Sequence, residues 1–332
     1  MTEPLRLPTP LTLARAQVDE AISELHRDYT DLPRMPWKNL DHLVGPPLPR
    51  DLWVIGARPA NGKTTLALNL FDALVQSGTA TLYIGAGSEG PPKDLRRQWA
   101  ALRLGLPVHA VMGNEWAALP SGAQDRVAAE LERQADEDRD YAHFASCERL
   151  TSSELVAALK GGRAAGCGYV ILDHIHRLRF DAQTDLRRGL SEATRFLRDW
   201  AAKHETVVLV CAQLHRAPSV HGALRDLIPP VAADLKETGT LEEDAVVILL
   251  LHRVRKADVD QKACLAVARG ERPIDDIVEP QTVAVRIGKH RRAGHIMDQT
   301  AFLRLDGAGR MTVRDAVWKG EREREPGEEL PF

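Results

Sequence analysis

The sequence lacks the features that mark secreted, disulfide-stabilised or membrane-spanning proteins. Its four cysteines are scattered without a CxxC pair, which predicts reduced thiols. No apolar run approaches the ~20 residues that cross a bilayer. The first ten residues have no basic region followed by an apolar stretch, so they do not resemble a secretory signal. We therefore expect a cytoplasmic protein that does not enter a membrane.

Aromatic side chains and surplus positive charge are also scarce. Aromatic residues make up 5% of the chain and hydrophobic residues 44%, so aliphatic packing should dominate the core. The formal net charge of -3 gives no general indication of nucleic-acid binding. It does not exclude such binding, because a ring-shaped assembly can confine its basic groups to a central channel.

Strand-like and helix-like segments alternate along the chain, which is typical of an α/β fold with a mostly parallel central sheet flanked by helices. Near-continuous aliphatic runs predict strands buried on both faces, at residues 52–55, 80–84, 169–172, 207–210, 246–251 and 282–287. Helices are predicted at residues 64–74, 93–104, 122–138 and 184–204. Thr151-Ser152-Ser153-Glu154 is a capping box and predicts another helix, which Gly161-Gly162 should end.

The ends of the chain differ from this middle part. Residues 1–30 combine a proline-rich tail with an amphipathic helical arm predicted over 11–28. Residues 30–50 are rich in proline and glycine and predict a loop. We place the α/β core at residues 31–310, followed by a charged, disordered tail at 311–332.

The segment from Ala57 to Thr64 matches the phosphate-loop pattern G-x-x-x-x-G-K-[ST], except that Ala57 replaces the first glycine. Gly62 lets the backbone N–H groups turn inward, where they and the helix N-terminus attract phosphate oxygens. Lys63 places a charge on the β- and γ-phosphates, and the Thr64 hydroxyl ligates Mg²⁺. The pattern predicts ATP and Mg²⁺ as cofactors. The predicted nucleotide-binding residues are Arg58, Pro59, Ala60, Asn61, Gly62, Lys63, Thr64 and Thr65.

Three later segments supply candidate partners for this loop. Asp173 ends a buried strand, where a second group on the metal side is needed; the alternative is an ordinary turn-capping aspartate. Gln213 ends the next strand and is a candidate sensor of the γ-phosphate, or a simple strand-end glutamine. Lys289 and Arg291 follow the sixth strand and are a candidate finger for a neighbouring subunit's nucleotide, or a solvated basic turn.

Together these segments resemble the C-terminal motor domain of the DnaB family of hexameric replicative helicases, over about residues 12–305. The matching segments are Leu40-Asp41-His42-Leu43, Leu48-Pro49-Arg50-Asp51-Leu52, Ala57-Arg58-Pro59-Ala60-Asn61-Gly62-Lys63-Thr64, Ile171-Leu172-Asp173-His174, Ala212-Gln213-Leu214-His215-Arg216, Asp234-Leu235-Lys236-Glu237-Thr238-Gly239-Thr240-Leu241-Glu242-Glu243-Asp244-Ala245 and Gly288-Lys289-His290-Arg291. The resemblance implies a RecA-like P-loop NTPase fold. It also implies a homo-oligomer, expected to be a hexamer, in which Lys289 and Arg291 act on the adjacent subunit's ATP.

The sequence departs from the family in three ways. Only the arm of residues 11–28 precedes the motor, where the family has a primase-docking domain. That arm is expected to pack on the next subunit, or else on its own domain. The family's catalytic glutamate position falls on Gly87, so Glu89 is the candidate base if the loop has shifted by two residues. Lys236 replaces an arginine, which keeps the charge but removes a bidentate fork.

The resemblance further implies that the loops after Asp173 and Gln213 hold single-stranded DNA by its backbone. The arginines in these stretches are Arg177, Arg179, Arg187, Arg188, Arg216 and Arg225. All of these except Arg177 are predicted to bind DNA. Few aromatic residues lie in these loops, so little sequence preference and strong salt dependence are expected. The alternative is a set of solvated surface arginines.

The function predicted from these patterns is an ATP-dependent DNA helicase or translocase that acts in replication, with a primase or a helicase loader as a possible partner. The altered glutamate motif leaves a second hypothesis open: a slow or inactive ATP-binding switch that acts as an adaptor or loader. A strand-exchange or repair ATPase is disfavoured by the Asp234–Ala245 block. His174 and His176 show no zinc-site spacing.

Overall fold

A computed structural model of the chain describes residues 15–19, 22–23, 29–86, 92–136, 138–147, 150–180, 184–214, 229–256 and 276–314, with the single residues 263, 266, 271 and 273. Its contacts divide the chain into two units, Met1–Leu32 and Pro33–Phe332. In the first unit, residues 15–19 and 22–23 are helical, within the predicted helical arm. In the described part of the chain, no helix is both long enough and apolar enough to cross a bilayer.

The second unit is built around a sheet that has nine strands among the described residues. In chain order the strands are β1 (Leu52–Ala57), β2 (Thr81–Ala86), β3 (Ala142–Cys147), β4 (Tyr169–Asp173), β5 (Val207–Gln213), β6 (Val247–Arg255), β7 (Val278–His290), β8 (Thr300–Leu305) and β9 (Met311–Val313). Their order across the sheet is β3-β2-β4-β5-β1-β6-β7-β8-β9. The first six in that order pair in parallel and the last three antiparallel. The predicted α/β class with a mostly parallel sheet is confirmed.

Helices cover both faces of this sheet. They are α1 (Lys38–Val44), α2 (Lys63–Gln76), α3 (Pro92–Leu104), α4 (Val108–Met112), α5 (Ala123–Asp136), α6 (Ser152–Ala164), α7 (Leu186–His204) and α8 (Gly239–Asp244). Short 3₁₀ turns occupy Asn114–Ala118, Ile175–Arg177, Ala232–Thr238 and Gly294–Ile296.

Alternating residues of each central strand feed two apolar layers. From β1, Trp53 and Ile55 pack with α1, α2 and α3 on one face, whereas Leu52 and Val54 pack with α6 and α7 on the other. All six residues of β1 are buried. Burial on both faces explains the near-continuous aliphatic runs in the sequence. Because β5 pairs in parallel with both β1 and β4, the carboxyl ends of these three strands lie at the same edge of the sheet.

Several predicted boundaries are wrong. Residues 38–44 of the predicted loop form α1, and β3, β8 and β9 were not predicted. The sheet also continues past the predicted core boundary at residue 310, because β9 pairs with β8.

The capping box at Thr151 is confirmed, but α6 runs through Gly161-Gly162 to Ala164. A Cβ at Gly162 would lie 2.7 Å from Leu82 Cδ2, so this glycine permits close helix–strand packing. The helix ends before Gly166, whose φ is +77°.

Candidate nucleotide site

The predicted phosphate loop lies between a strand and a helix, as its pattern requires. Strand β1 ends at Ala57, and α2 begins at Lys63 directly after Gly62. Gly62 has a φ of 85°, a left-handed conformation that glycine adopts without strain. The loop therefore ends at the first turn of α2, where backbone N–H groups lack intrahelical partners. This geometry favours an anion at that point.

A buried amide fixes the loop to the neighbouring strand. The Asn61 side chain donates to the carbonyl of Pro59 at 3.0 Å. Its Oδ1 accepts the backbone N–H of Arg253, in β6, at 3.0 Å. These two bonds hold the loop in its conformation, and the Asn61 side chain does not extend out of the loop.

Lys63 and Asp173 are in direct contact, although 110 positions separate them in the sequence. The Tyr83 hydroxyl donates to the other Asp173 carboxylate oxygen at 3.0 Å. Burial alone would raise the pKa of Asp173, but the Lys63 ammonium and hydrogen bonds from Lys63, Thr64 and Tyr83 lower it overall. The carboxylate is therefore ionised at neutral pH and lies beside the Thr64 hydroxyl.

Gln213 lies next to the phosphate loop, because it pairs with Ala57 across β5 and β1. Its side chain is exposed at the strand end. Its backbone N–H donates to Nδ1 of His176 at 3.2 Å, so that ring nitrogen carries no proton. His174 is buried, and burial together with the Lys63 charge lowers its pKa to about 4, so it is neutral. No pattern in the sequence assigned this supporting role to His176.

The Arg58 side chain contacts a distant segment. It is 4% exposed, and its guanidinium lies 3.5 Å from the Asp234 carboxylate. The sequence predicts that Arg58 binds the nucleotide, and in the structure its guanidinium also lies beside the Asp234 carboxylate. His252, in β6, is buried nearby, and its Nδ1 has no hydrogen-bond partner among the described residues. Burial, then the charges of Arg286 and Arg58, lower the pKa of His252 to about 4.

This histidine should make the folded state sensitive to acid. The folded protein holds His252 neutral, with a pKa of about 4 against an ordinary 6.5. As pH falls below 6.5, the unfolded chain binds a proton that the folded chain does not, so stability is lost between about pH 6.5 and 4. A shift of this size corresponds to roughly 3 kcal/mol. We expect His252→Leu to reduce the difference in urea-unfolding free energy between about pH 7 and about pH 4.5.

The matched control is His295→Leu, which replaces an exposed histidine of the same unit. It should leave the acid sensitivity close to that of the parent. An equal pH dependence in the parent and His252→Leu would contradict this assignment.

Lys289 and Arg291 lie far along the sheet from the phosphate loop of their own chain. Lys289 pairs with Ile248, which in turn pairs with Val54. The Arg291 N–H donates to the carbonyl of Val246, and the Val246 N–H donates to that of Leu52. Arg291 is thus level with the first residue of β1. Since β1 rises ~3.3 Å per residue, Ala57 lies roughly 16 Å further along.

The remaining predicted residues divide into two groups. Arg179, Arg187 and Arg188 are exposed, on the chain after β4 and at the start of α7. Arg188 pairs with Glu192 at 2.9 Å, whereas Arg177 is half-buried in the turn before Leu178. Glu89, Arg216 and Arg225 lie outside the described residues, as does Gly87.

A family model for the DnaB-like helicase C-terminal domain matches residues 35–304, which is most of the chain. The chain belongs to this family. Among curated proteins, this DnaB-like chain is 28% identical over 255 residues to the replicative DNA helicase DnaB of Leifsonia xyli subsp. xyli, covering 74% of this chain and 52% of that protein. It is 24% identical over 214 residues to replicative DNA helicase DnaB of Haemophilus influenzae, covering 62% and 42%. The chain spans about half the length of these relatives.

Solved structures support the same fold. One solved ATPase domain superposes with a TM-score of 0.69 at 18% identity, covering 93% of this chain and all of that domain. A DnaB-like replicative helicase, solved to show its interactions with primase, gives a TM-score of 0.66 at 18% identity, covering 91% and 66%. The RadB recombinase gives 0.50 at 18% identity, covering 86% and 100%. The expected RecA-like architecture is confirmed.

Proposed function

We propose that this DnaB-like chain is an ATP-driven motor that moves on single-stranded DNA during replication. The observation that carries the proposal is the contact of Lys63 and Thr64 with Asp173, beside Gln213, at the carboxyl ends of the central parallel strands. Open α/β sheets bind ligands at this edge. The names of the relatives, replicative DNA helicases, supply the class of activity.

The residues at this edge fit a nucleotide with Mg²⁺. An ionised carboxylate and a threonine hydroxyl are the oxygen ligands that Mg²⁺ prefers. They adjoin an ammonium group at a helix N-terminus, which suits phosphate. ATP would supply a phosphoryl group whose transfer to water drives movement. Lys63 would hold the phosphates, Thr64 and Asp173 the metal, and Gln213 would couple the nucleotide to the loop that follows it.

The water-orienting group is assigned to Glu89 on sequence grounds alone. Loss of such a group typically costs about 10²–10⁴-fold in rate. The competing function, a slow ATP-binding switch that serves as an adaptor or loader, would follow if no carboxylate performs this role. Measured ATP turnover therefore separates the two.

The position of Lys289 and Arg291 favours a site shared between subunits. Both lie roughly 10–16 Å along the strands from the phosphate loop of their own chain. Both also turn toward backbone carbonyls of α8. We therefore propose that ATP is bound at the interfaces of a homo-oligomeric ring, expected to be a hexamer.

Single-stranded DNA is the proposed track. Arg179, Arg187 and Arg188 are exposed near the nucleotide edge, and Arg216 and Arg225 follow Gln213 in the sequence. Arginine contacts to phosphates give binding that weakens steeply with salt and reads little sequence. The DnaB-like helicase whose structure resembles this chain was solved for its interactions with primase, so a primase or a helicase loader is a candidate partner.

The experiment that tests this proposal measures ATP turnover with and without a single-stranded oligonucleotide. Stimulation by the oligonucleotide supports a motor. Nucleotide binding with little turnover and no response to DNA supports the adaptor or loader function instead.

A further inference from the structure

One short segment contacts the phosphate loop, the finger residues and the helix that begins at the DNA-binding arginines. We call residues 231–244 the link segment; it contains the 3₁₀ turn Ala232–Thr238 and helix α8. At residues 234–244 it overlaps the sequence block that most specifically resembles the DnaB family, but neither nucleotide chemistry nor DNA contact accounts for it.

The first end of the link segment is attached to the phosphate loop. The Asp234 carboxylate lies 3.5 Å from the Arg58 guanidinium and accepts the Val231 N–H at 3.1 Å. Leu235 is buried against β1, where a Cβ added to Gly56 would lie 3.6 Å from its Cδ2. A shift of the phosphate loop therefore acts directly on this turn.

The second end of the link segment holds the finger residues. Lys289 donates to the carbonyls of Glu242 and Glu243, with Nζ 3.0 Å from the Glu243 oxygen. Arg291 also donates to the Glu243 carbonyl. These carbonyls belong to the last turn of α8, where backbone oxygens lack intrahelical partners and attract cations.

The link segment is also fastened to α7. The Thr240 hydroxyl donates to the Ser191 hydroxyl at 2.6 Å, and Arg198 pairs with Asp244 at 2.6 Å. Helix α7 begins at Leu186 and carries the exposed Arg187 and Arg188. Three elements with proposed functions thus share contacts with fourteen consecutive residues, 231–244.

We propose that the link segment sets the position of Lys289 and Arg291 relative to the phosphate loop of the same chain. Asp234 and Asp244 are then positioning residues for the nucleotide site of the neighbouring subunit. This inference rests on the proposed function, since it assumes a site shared between subunits. Through this connection, the nucleotide state of one site changes the position of the finger residues that complete the next site.

The test uses Asp234→Asn, which preserves size but removes the charge that meets Arg58. We expect the affinity for a fluorescent ATP analogue to stay within about twofold, while the maximal turnover falls about tenfold. Adding Lys63→Ala subunits, which bring an intact link segment and finger, should partly restore turnover in mixed rings. Adding Arg291→Ala subunits should not. Amide hydrogen exchange at residues 239–244 should rise in the variant.

Asp244→Asn is the second variant, and it has a matched control. Arg198 pairs with Asp244 and also with Asp199, on the surface of α7, at 2.8 Å. Asp244→Asn should reduce turnover and be rescued by Lys63→Ala subunits. Asp199→Asn, which removes the other partner of the same arginine, should leave turnover within about twofold of the parent.

Four results would overturn the inference. Parent-like turnover in both Asp234→Asn and Asp244→Asn would show that the link segment does not position the finger. Rescue of Asp234→Asn by Arg291→Ala subunits would show that Asp234 serves its own phosphate loop. If Lys63→Ala and Arg291→Ala subunits fail to rescue each other, the shared site is wrong and the inference falls with it. If that pair does restore turnover but Lys63→Ala subunits do not rescue Asp234→Asn, the shared site stands and only the inference about the link segment is wrong.

Discussion

Replacing Asp173 by asparagine is expected to lower ATP turnover by about 10²–10³-fold. The carboxylate is buried and ionised, and it contacts Lys63 and the Thr64 hydroxyl. An amide of the same shape removes the negative charge on the metal side and the ion pair with Lys63. The measurement is steady-state phosphate release at saturating ATP and Mg²⁺.

Tyr83→Phe is the matched control for Asp173→Asn. It removes one hydrogen bond to the carboxylate and retains the ring, which packs edge-on against Phe71 with centroids 5.7 Å apart. A hydrogen bond to a charged group contributes about 1.5–3 kcal/mol to stability. Tyr83→Phe nevertheless keeps the Asp173 charge and its contact with Lys63, so turnover should fall about tenfold at most. Comparable turnover in the parent and Asp173→Asn would exclude Asp173 from the metal site.

Mixing two inactive variants should restore ATP turnover. Lys63→Ala removes the phosphate-binding charge, and Arg291→Ala removes a finger that can contribute about 10³–10⁵-fold in rate. Each variant alone should be nearly inactive. In a mixed ring, however, a phosphate loop from an Arg291→Ala subunit can face an intact finger from a Lys63→Ala subunit. Turnover plotted against mixing ratio should pass through a maximum near equal proportions.

The control for this experiment is the double variant that carries both substitutions. Mixed with the parent, it can only dilute complete sites, so turnover should decline steadily with its fraction. Turnover that stays near zero at every ratio of Lys63→Ala to Arg291→Ala would show that each chain completes its own site.

The sequence predicted the central part of the fold because that part is encoded locally. Strands buried on both faces are continuous aliphatic runs, as in Tyr169–Asp173, and need no knowledge of their partners. The phosphate loop was predictable for the same reason, since strand, glycine turn and helix are consecutive. Asp173 followed because a metal-side acid is expected at the end of a buried strand.

The parts that were not predicted depend on distant partners. Strand β9 is three residues long, and its Met311 is held by the Trp37 indole and the Asn69 side chain, at 2.7 and 2.9 Å. Helix α1 lies among prolines that suggest a loop. Gly161-Gly162 indicated a helix end, but Gly162 instead makes room for Leu82 of another element.

The supporting contacts of the candidate site were hidden for a related reason. Arg58 and Asp234 are 176 positions apart, and His176 and Gln213 are 37 apart. Neither pair has a spacing that marks it in one sequence. Each pair becomes visible only in the folded structure, where its two segments are in contact.

The most direct test of the central claim is the ATP turnover of the parent with and without single-stranded oligonucleotide, with Lys63→Ala measured in parallel. We predict stimulation by the oligonucleotide that weakens steeply as salt rises, and loss of turnover in Lys63→Ala under both conditions. Arg187→Ala should weaken the stimulation without abolishing the basal rate. Turnover that is the same with and without the oligonucleotide, and that persists in Lys63→Ala, would contradict the account.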